Sequence, residues 1–234
     1  MRILALDTAT EGCSAALLLD GQLHERAQRA ERAHAELILP MVDGLLRESR
    51  VTLREIDAIA FGRGPGAFTG VRLAASVAQG LAFGAALPVV PVSDLRALAQ
   101  RALDEDRAIA RVVACADARM REVYWGCFER SREGLAALVD AERVSSPQAV
   151  RLPAAWLSPG RADRLTGVGS GFGAYPELGV ELSLGLVLEG FLPRAAEIAR
   201  LAVPEVAARR YFLPEQALPV YLRDDVVKGT SGPS

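Results

Sequence analysis

Three patterns in this sequence could carry chemistry. Asp7 and Asp117 each end an apolar strand that turns back on itself. Paired carboxylates at equivalent turns could hold Mg²⁺ or act on phosphate; an Asp at a hairpin turn can equally accept hydrogen bonds from its own backbone and do no chemistry. The run Gly62-Arg63-Gly64-Pro65-Gly66-Ala67-Phe68-Thr69-Gly70-Val71-Arg72-Leu73 combines conformational freedom with Thr69 as a helix N-cap. Such a loop could cradle a phosphate or make an architectural strand-to-helix turn. Finally, Gly169-x-Gly171-x-x-Ala174 has the spacing of a dinucleotide loop, yet Pro176 interrupts it and no βαβ unit with a terminal acid leads into it.

The rest of the inventory narrows the options. Lys228 is the only Lys, so a phosphate-binding or Schiff-base lysine has no place in a Gly-rich loop. His24 and His34, the only imidazoles, lie ten residues apart instead of the four that puts two ligands on one helical face. Cys13, Cys115 and Cys127 form no Cys-x-x-Cys pair and read as reduced, buried thiols. Between Asp94 and Glu133, eight Arg are matched by eight acids, a mixed solvated surface and not a nucleic-acid groove. The net charge of -2 agrees with that.

Those residues need elements to position them, and 234 residues at 50% hydrophobic and 24% charged suffice for a globular core. Strands at Ile3–Leu6 and Cys13–Leu19 enclose the Asp7 turn, and Val112–Ala116 and Val123–Phe128 enclose the Asp117 turn. Two strand-Asp-turn-strand units about 110 residues apart indicate an internal duplication. The first is followed by a helix over Ala33–Ser49, which Pro40 should kink or start, a strand over Asp57–Phe61, the Gly-rich loop, a helix over Val71–Phe83 and a strand over Leu87–Val92. Ser93 should cap a helix reaching Leu103. Later come a Ser146-Pro147 helix start, a Pro159-Gly160 turn, a strand near Leu165–Val168 and a helix opened by Pro193. We therefore expect an N-terminal lobe over 1–104, a C-terminal lobe over 105–228, divided at the acidic Asp104-Glu105-Asp106, and a disordered tail over 229–234.

Two helical surfaces stand out. The first helix is apolar on more than one side, which a partner surface or internal packing could explain. The second carries Gly70, Ala74, Ala78 and Ala82 at four-residue intervals, a flat face open to a close neighbour. The N-terminal apolar run ends at Asp7, too early for a signal peptide. Gly84, Pro88 and Pro91 break the longest apolar stretch well short of the roughly 20 residues a membrane span needs. A cytoplasmic protein without a membrane partner is expected.

Several strings, taken in order, resemble the bacterial TsaB (YeaZ) family, which acts in synthesis of N6-threonylcarbamoyladenosine next to the tRNA anticodon. They are Ile3-Leu4-Ala5-Leu6-Asp7-Thr8-Ala9-Thr10, His34-Ala35-Glu36-Leu37-Ile38-Leu39-Pro40, Gly64-Pro65-Gly66-Ala67-Phe68-Thr69-Gly70-Val71-Arg72, Asp117-Ala118-Arg119-Met120-Arg121-Glu122-Val123-Tyr124 and Pro219-Val220-Tyr221-Leu222-Arg223. Ala67 and Ala35 stand where the family usually has Ser, which weakens any hydroxyl role there.

The resemblance implies an α/β, actin-like ATPase (ASKHA) fold of two RNase H-like lobes with mixed sheets flanked by helices. It also implies a subunit without catalytic residues or metal ligands, because the catalytic relative TsaD carries a His-x-x-x-His pair where this chain has His34 and Ile38. The implied partners are TsaD, the ATPase TsaE, a second copy of the chain when TsaD is absent, and tRNA mainly through the complex. The implied interface residues are Leu37, Met41, Leu45, Thr69, Arg72, Leu73 and Ser76. Asp7, Thr8, Gly169 and Ser170 would face nucleotide, with no cofactor tightly bound and any ATP or ADP with Mg held at the complex interface. The alternative is a stand-alone ATPase or kinase-like enzyme using Asp7 and Asp117.

Overall fold

In the computed structural model, residues 1–30, 32–157 and 165–223 are described. The expected Pro159-Gly160 turn and the 229–234 tail lie outside them. The first half runs β1 (Arg2–Asp7), β2 (Gly12–Leu19), β3 (Gln22–Arg29), α1 (His34–Glu48), β4 (Ala58–Gly62), α2 (Phe68–Ala85), β5 (Val89–Val92) and α3 (Asp94–Glu105). The second runs β6 (Arg111–Asp117), β7 (Val123–Arg130), β8 (Ala136–Leu138), β9 (Arg143–Ser145), β10 (Leu165–Val168), α4 (Ser170–Ala174), α5 (Glu177–Glu181), β11 (Leu186–Leu188) and α6 (Ala195–Ala207).

The duplication read from the two Asp turns is present in the topology. The first sheet has the order β3-β2-β1-β4-β5, and the second, read from its far edge, is β8-β7-β6-β10-β11. Each has an antiparallel hairpin, β1–β2 or β6–β7, extended by parallel strands on the other side. β3, unanticipated, is a polar edge strand joined to β2 through Asp20-Gly21, where both residues have positive φ (47° and 92°). An Asp-Gly pair in that conformation matches the twist of a tight hairpin.

Burial explains why β1 is apolar on both faces. Leu4 and Leu6 join the core beneath α1 and α2, whereas Ile3 and Ala5 face α6. A sheet covered on both sides needs no polar alternation. The second sheet is covered by α3 on one face, through Leu95, Leu98 and Leu103, and by Trp156, Phe172 and Leu178 on the other. α3 and α6 touch, forming a shared layer between the sheets. Consequently α3 packs on the second sheet and α6 on the first, so a cut between 104 and 105 separates each from the sheet it covers.

Four local expectations change. α1 is one continuous helix from His34 to Glu48, so Pro40 does not mark its start; Pro40 lies on the exposed face, where the freed carbonyl can meet water. α2 starts at Phe68 with Ala67 as its N-cap, so Thr69 is inside the first turn and does not cap it. The flat face of α2 turns inward: Gly70, Ala74, Ala78 and Ala82 are buried against the chain's own strands. The breadth of the α1 stripe also has an internal cause. Met41 and Leu45, expected at a partner interface, are 7% and 2% exposed and belong to the lobe's core; they present no surface to a partner. Met41→Arg should therefore cost about 3–4 kcal/mol of stability, the effect of forcing a charge among apolar side chains. Urea denaturation measures this, and a wild-type midpoint would place the side chain at the surface.

Candidate partner-binding face

The site is built outward from the β1–β2 turn. Asp7 Oδ1 accepts from the Ala9 N–H at 2.8 Å, the Asx-turn expected as the alternative to chemistry. Thr8 Oγ1 donates to the Gly70 carbonyl at 2.7 Å, and the Ala67 N–H donates to the Ala9 carbonyl at 2.7 Å. The Gly-rich loop thus lies directly on this turn. A Cβ on Gly66 or Gly70 would fall inside the contact radius of the Ala9 or Thr8 carbonyl oxygen, which is why glycine stands at both.

Three of the loop's backbone donors are committed within the protein. The Arg63 N–H donates to Val92 O, that of Gly64 to Asp94 Oδ2 at 2.5 Å and that of Ala67 to Ala9 O. These three bonds hold the loop as a strand-to-helix turn between β4 and α2. Asp7 and Thr8 are fully buried and offer no group to a nucleotide in this conformation. Gly169, at φ 113°, packs on the Cys115 carbonyl, and Ser170 Oγ accepts from the Asp117 N–H at 3.1 Å. The four residues expected at nucleotide therefore form two pairs, one per hairpin, that share no hydrogen bond among the described residues. Asp117 itself accepts from the Arg119 N–H and guanidinium, both at 2.9 Å. No group of three or more His, Cys, Asp or Glu among the described residues could hold a metal ion.

Asp94, the first residue of α3, lies against Asp7. Burial pushes the Asp7 carboxyl up to about 6, and burial together with the neighbouring Asp7 charge holds Asp94 well above the ordinary carboxylate range. The signal for this partnership, an acid directly after a Ser N-cap, is too common to be read from sequence.

The outer side of α2 is open. Thr69, Arg72 and Ser76 are exposed and Leu73 is half-buried on adjoining turns. Phe68 is 54% exposed; the Arg72 guanidinium sits 3.2 Å over its ring and 5.2 Å from the Tyr221 ring. Tyr221 belongs to a C-terminal strap. Phe212 pairs with Val89 at the β5 edge, Gln79 Nε2 donates to the Pro214 carbonyl at 3.2 Å, and the Val220 N–H donates to the Arg63 carbonyl at 2.7 Å. The Arg223 guanidinium donates to the Ala118 carbonyl at 3.1 Å and to Glu122. On α1, Leu37 is half-buried and Leu39 exposed. Four of the seven expected interface residues thus share one open face, Leu37 borders the core, and Phe68 and Tyr221 join the face unanticipated.

The comparisons with known proteins agree with this architecture. A family model, TsaD: tRNA N6-adenosine threonylcarbamoyltransferase, matches residues 25–160. The tRNA threonylcarbamoyladenosine biosynthesis protein TsaB of Escherichia coli K12 is 43% identical over 97% of this chain and 96% of its own length. The chain belongs to the TsaB family. The Haemophilus influenzae TsaB is 40% identical over 97% of this chain and 95% of its own length. The structure of YeaZ from Pseudomonas aeruginosa superposes with a TM-score of 0.85 at 45% identity, covering 94% of this chain and 99% of that one. TsaB membership brings the actin-like fold, and the repeated strand order is its two-lobed form.

A further P. aeruginosa structure, with a TM-score of 0.86 and 46% identity over 95% of this chain and 99% of that one, is described as similar to peptidase YeaZ. In this TsaB chain the three thiols are buried, and desolvation pushes Cys13 up to about 11 and Cys115 and Cys127 to about 12, leaving little thiolate at neutral pH. No described helix is long and apolar enough to cross a membrane. Because Gly70 meets the Thr8 carbonyl, Gly70→Ala should cost about 2–3 kcal/mol by forcing the loop off the turn; a urea midpoint equal to wild type would mean that the contact is slack.

Proposed function

We propose that this chain is a non-catalytic scaffold and activator that pairs with TsaD and helps recruit TsaE for threonylcarbamoylation of the adenosine next to the tRNA anticodon. The observation that carries the reading is Ile38. Four residues after His34, where the metal-binding relative places its second His, Ile38 is fully buried in the lobe's own core. His34 itself is engaged through Nε2 with the Thr10 carbonyl at 2.8 Å. Lewis-acid activation of a carbonyl by that His pair therefore falls to the partner.

The open face of α2 supports pairing. Exposed Phe68, Arg72 and Tyr221 form a cluster of aromatic rings and a guanidinium, the side-chain types that dominate binding energy at protein interfaces. The same surface would serve a second copy of the chain when TsaD is absent. Any ATP or ADP with Mg would then be held by the assembled complex and not by the enclosed Asp7 and Thr8, with tRNA bound mainly through the complex. An intracellular site of action follows from the tRNA substrate.

Light scattering after size exclusion tests this on the chain alone and mixed with TsaD. Exchange of a homodimer into a heterodimer is expected, whereas a monomer indifferent to TsaD would overturn the scaffold reading. Leu73→Glu should weaken pairing by at least about tenfold, as loss of one central contact does, while leaving the urea midpoint within about 0.5 kcal/mol of wild type. Calorimetric titration of the isolated chain with Mg-ATP should give no heat. Micromolar binding with turnover would favour the stand-alone ATPase or kinase-like enzyme instead.

A further inference from the structure

We infer that Asp94 is a positioning residue for the partner-binding helix: Asp94 and Asp7 share one proton, and the neutralised pair clamps the Gly-rich loop so that the first turn of α2 holds its outer face in place. The inference rests on the reading of that face as the partner surface.

The geometry begins with Gly62, the last residue of β4. A Cβ there would collide with the Oδ1 atoms of both Asp94 and Asp7, so the two carboxyls converge over its bare backbone. Both residues are buried, at 0% and 2% exposure. Asp7 Oδ2 and Asp94 Oδ1 are buried without a hydrogen-bond donor, and the two carboxyls lie close enough over Gly62 for the charge of Asp7 to act on Asp94. Two buried carboxylates at that distance would repel, while one shared proton turns the contact into a donor and an acceptor.

Their remaining oxygens hold backbone on two sides. Asp94 Oδ2 accepts from the Gly64 N–H at 2.5 Å while the Asp94 N–H donates back to the Gly64 carbonyl at 3.1 Å. Asp7 Oδ1 fixes the Ala9 N–H, and the Ala9 carbonyl in turn holds the Ala67 N–H at the N-cap of α2. The chain of bonds therefore runs from α3 through the dyad to α2, where Thr69, Arg72, Leu73 and Ser76 follow within nine residues of Ala67.

The surrounding charges act in both directions: Glu142 favours retention of a proton at Asp94, whereas His34 opposes it at Asp7. Glu142, in the β8–β9 connection, adds negative potential at Asp94 and hydrogen-bonds Ser93. Arg63, at the start of the loop, pairs with Glu142 at 3.4 Å, and Arg96 of α3 donates to the Ala136 carbonyl at 2.8 Å; neither bonds the dyad. His34 on α1 and Cys13 on β2 are the other titratable groups beside Asp7. The folded state therefore binds more protons at this pair than the unfolded chain does, so its contribution to stability is present in acid and declines as pH rises through the folded values.

The test compares wild type, Asp94→Asn and Asp94→Ala in the full chain. An Asn amide can donate to Asp7 and accept from Gly64, reproducing the protonated acid without a titration. Wild type should lose melting temperature between pH 6 and 9, and Asp94→Asn should flatten that decline while still pairing at pH 6. Asp94→Ala should speed amide exchange at Gly64 and Ala67 by about tenfold, the equivalent of one lost hydrogen bond to a buried acid. An unchanged pH slope in Asp94→Asn, or unchanged exchange in Asp94→Ala, would overturn the clamp. Expected slopes and exchange without any mass change on adding TsaD would keep the clamp and overturn only the partner reading.

Discussion

The contact on which most else depends is backbone lying on backbone. The Gly66–Gly70 segment rests on the Thr8 and Ala9 carbonyls with no side chain between them, and this fixes where α2 begins. From that point the inward face of α2 can be nearly flat, because Gly70, Ala74, Ala78 and Ala82 must come close to the sheet. Close approach of the helix leaves Phe68 and Arg72 directed outward, while Val71, Val77 and Leu81 flank the flat strip and pack inward or part-way. The open Phe68–Arg72 side and the buried alanine side are two consequences of one constraint.

A second constraint acts between the halves. α3 and α6 form a common layer with one sheet on either side, so each half of the chain contributes the helix that seals the other half's sheet. Polar groups of α6 bond across to the first sheet: the Ala195 N–H donates to Ser14 Oγ at 2.9 Å, and Arg194, which binds the nearly inaccessible Glu197 at 2.7 Å, also pairs with Glu25 at 3.6 Å. Buried polar groups with partners tie the lobes without the penalty that isolated ones would carry. The C-terminal strap adds a tie on the outside, from the β5 edge across the Gly-rich loop to the β6–β7 turn. That turn holds Arg119, Met120 and Arg121 successively at positive φ (60°, 52° and 62°), a strained shape that persists because Asp117 and Arg223 bond it from both sides.

The turns of both hairpins are bonded by the protein's own groups. Asp7 is closed in by Ala9 and Asp94, and Asp117 by Arg119 and Ser170. The Arg63, Gly64 and Ala67 N–H groups of the Gly-rich loop have internal acceptors. The open feature beside this region is the outer face of α2, where Phe68, Arg72 and Tyr221 cluster.

Local pattern carried much of this. Strand–Asp–strand repeats, the Ser93 cap, the alanine spacing of α2 and the family strings depend only on neighbours in sequence, because hydrophobic period, capping and turn chemistry act over a few residues. Asp20-Gly21 could have revealed β3 on the same basis. What sequence left open were the questions of which side of an element meets which neighbour. The apolar breadth of α1 suited either a partner or a core, and only the packing of Met41 and Leu45 beneath the first sheet settled it. The exchange of α3 and α6 between the sheets and the meeting of Asp7 with Asp94, 87 positions apart, are long-range events. They are decided by which buried surfaces come together when the chain closes, and no window of residues records that.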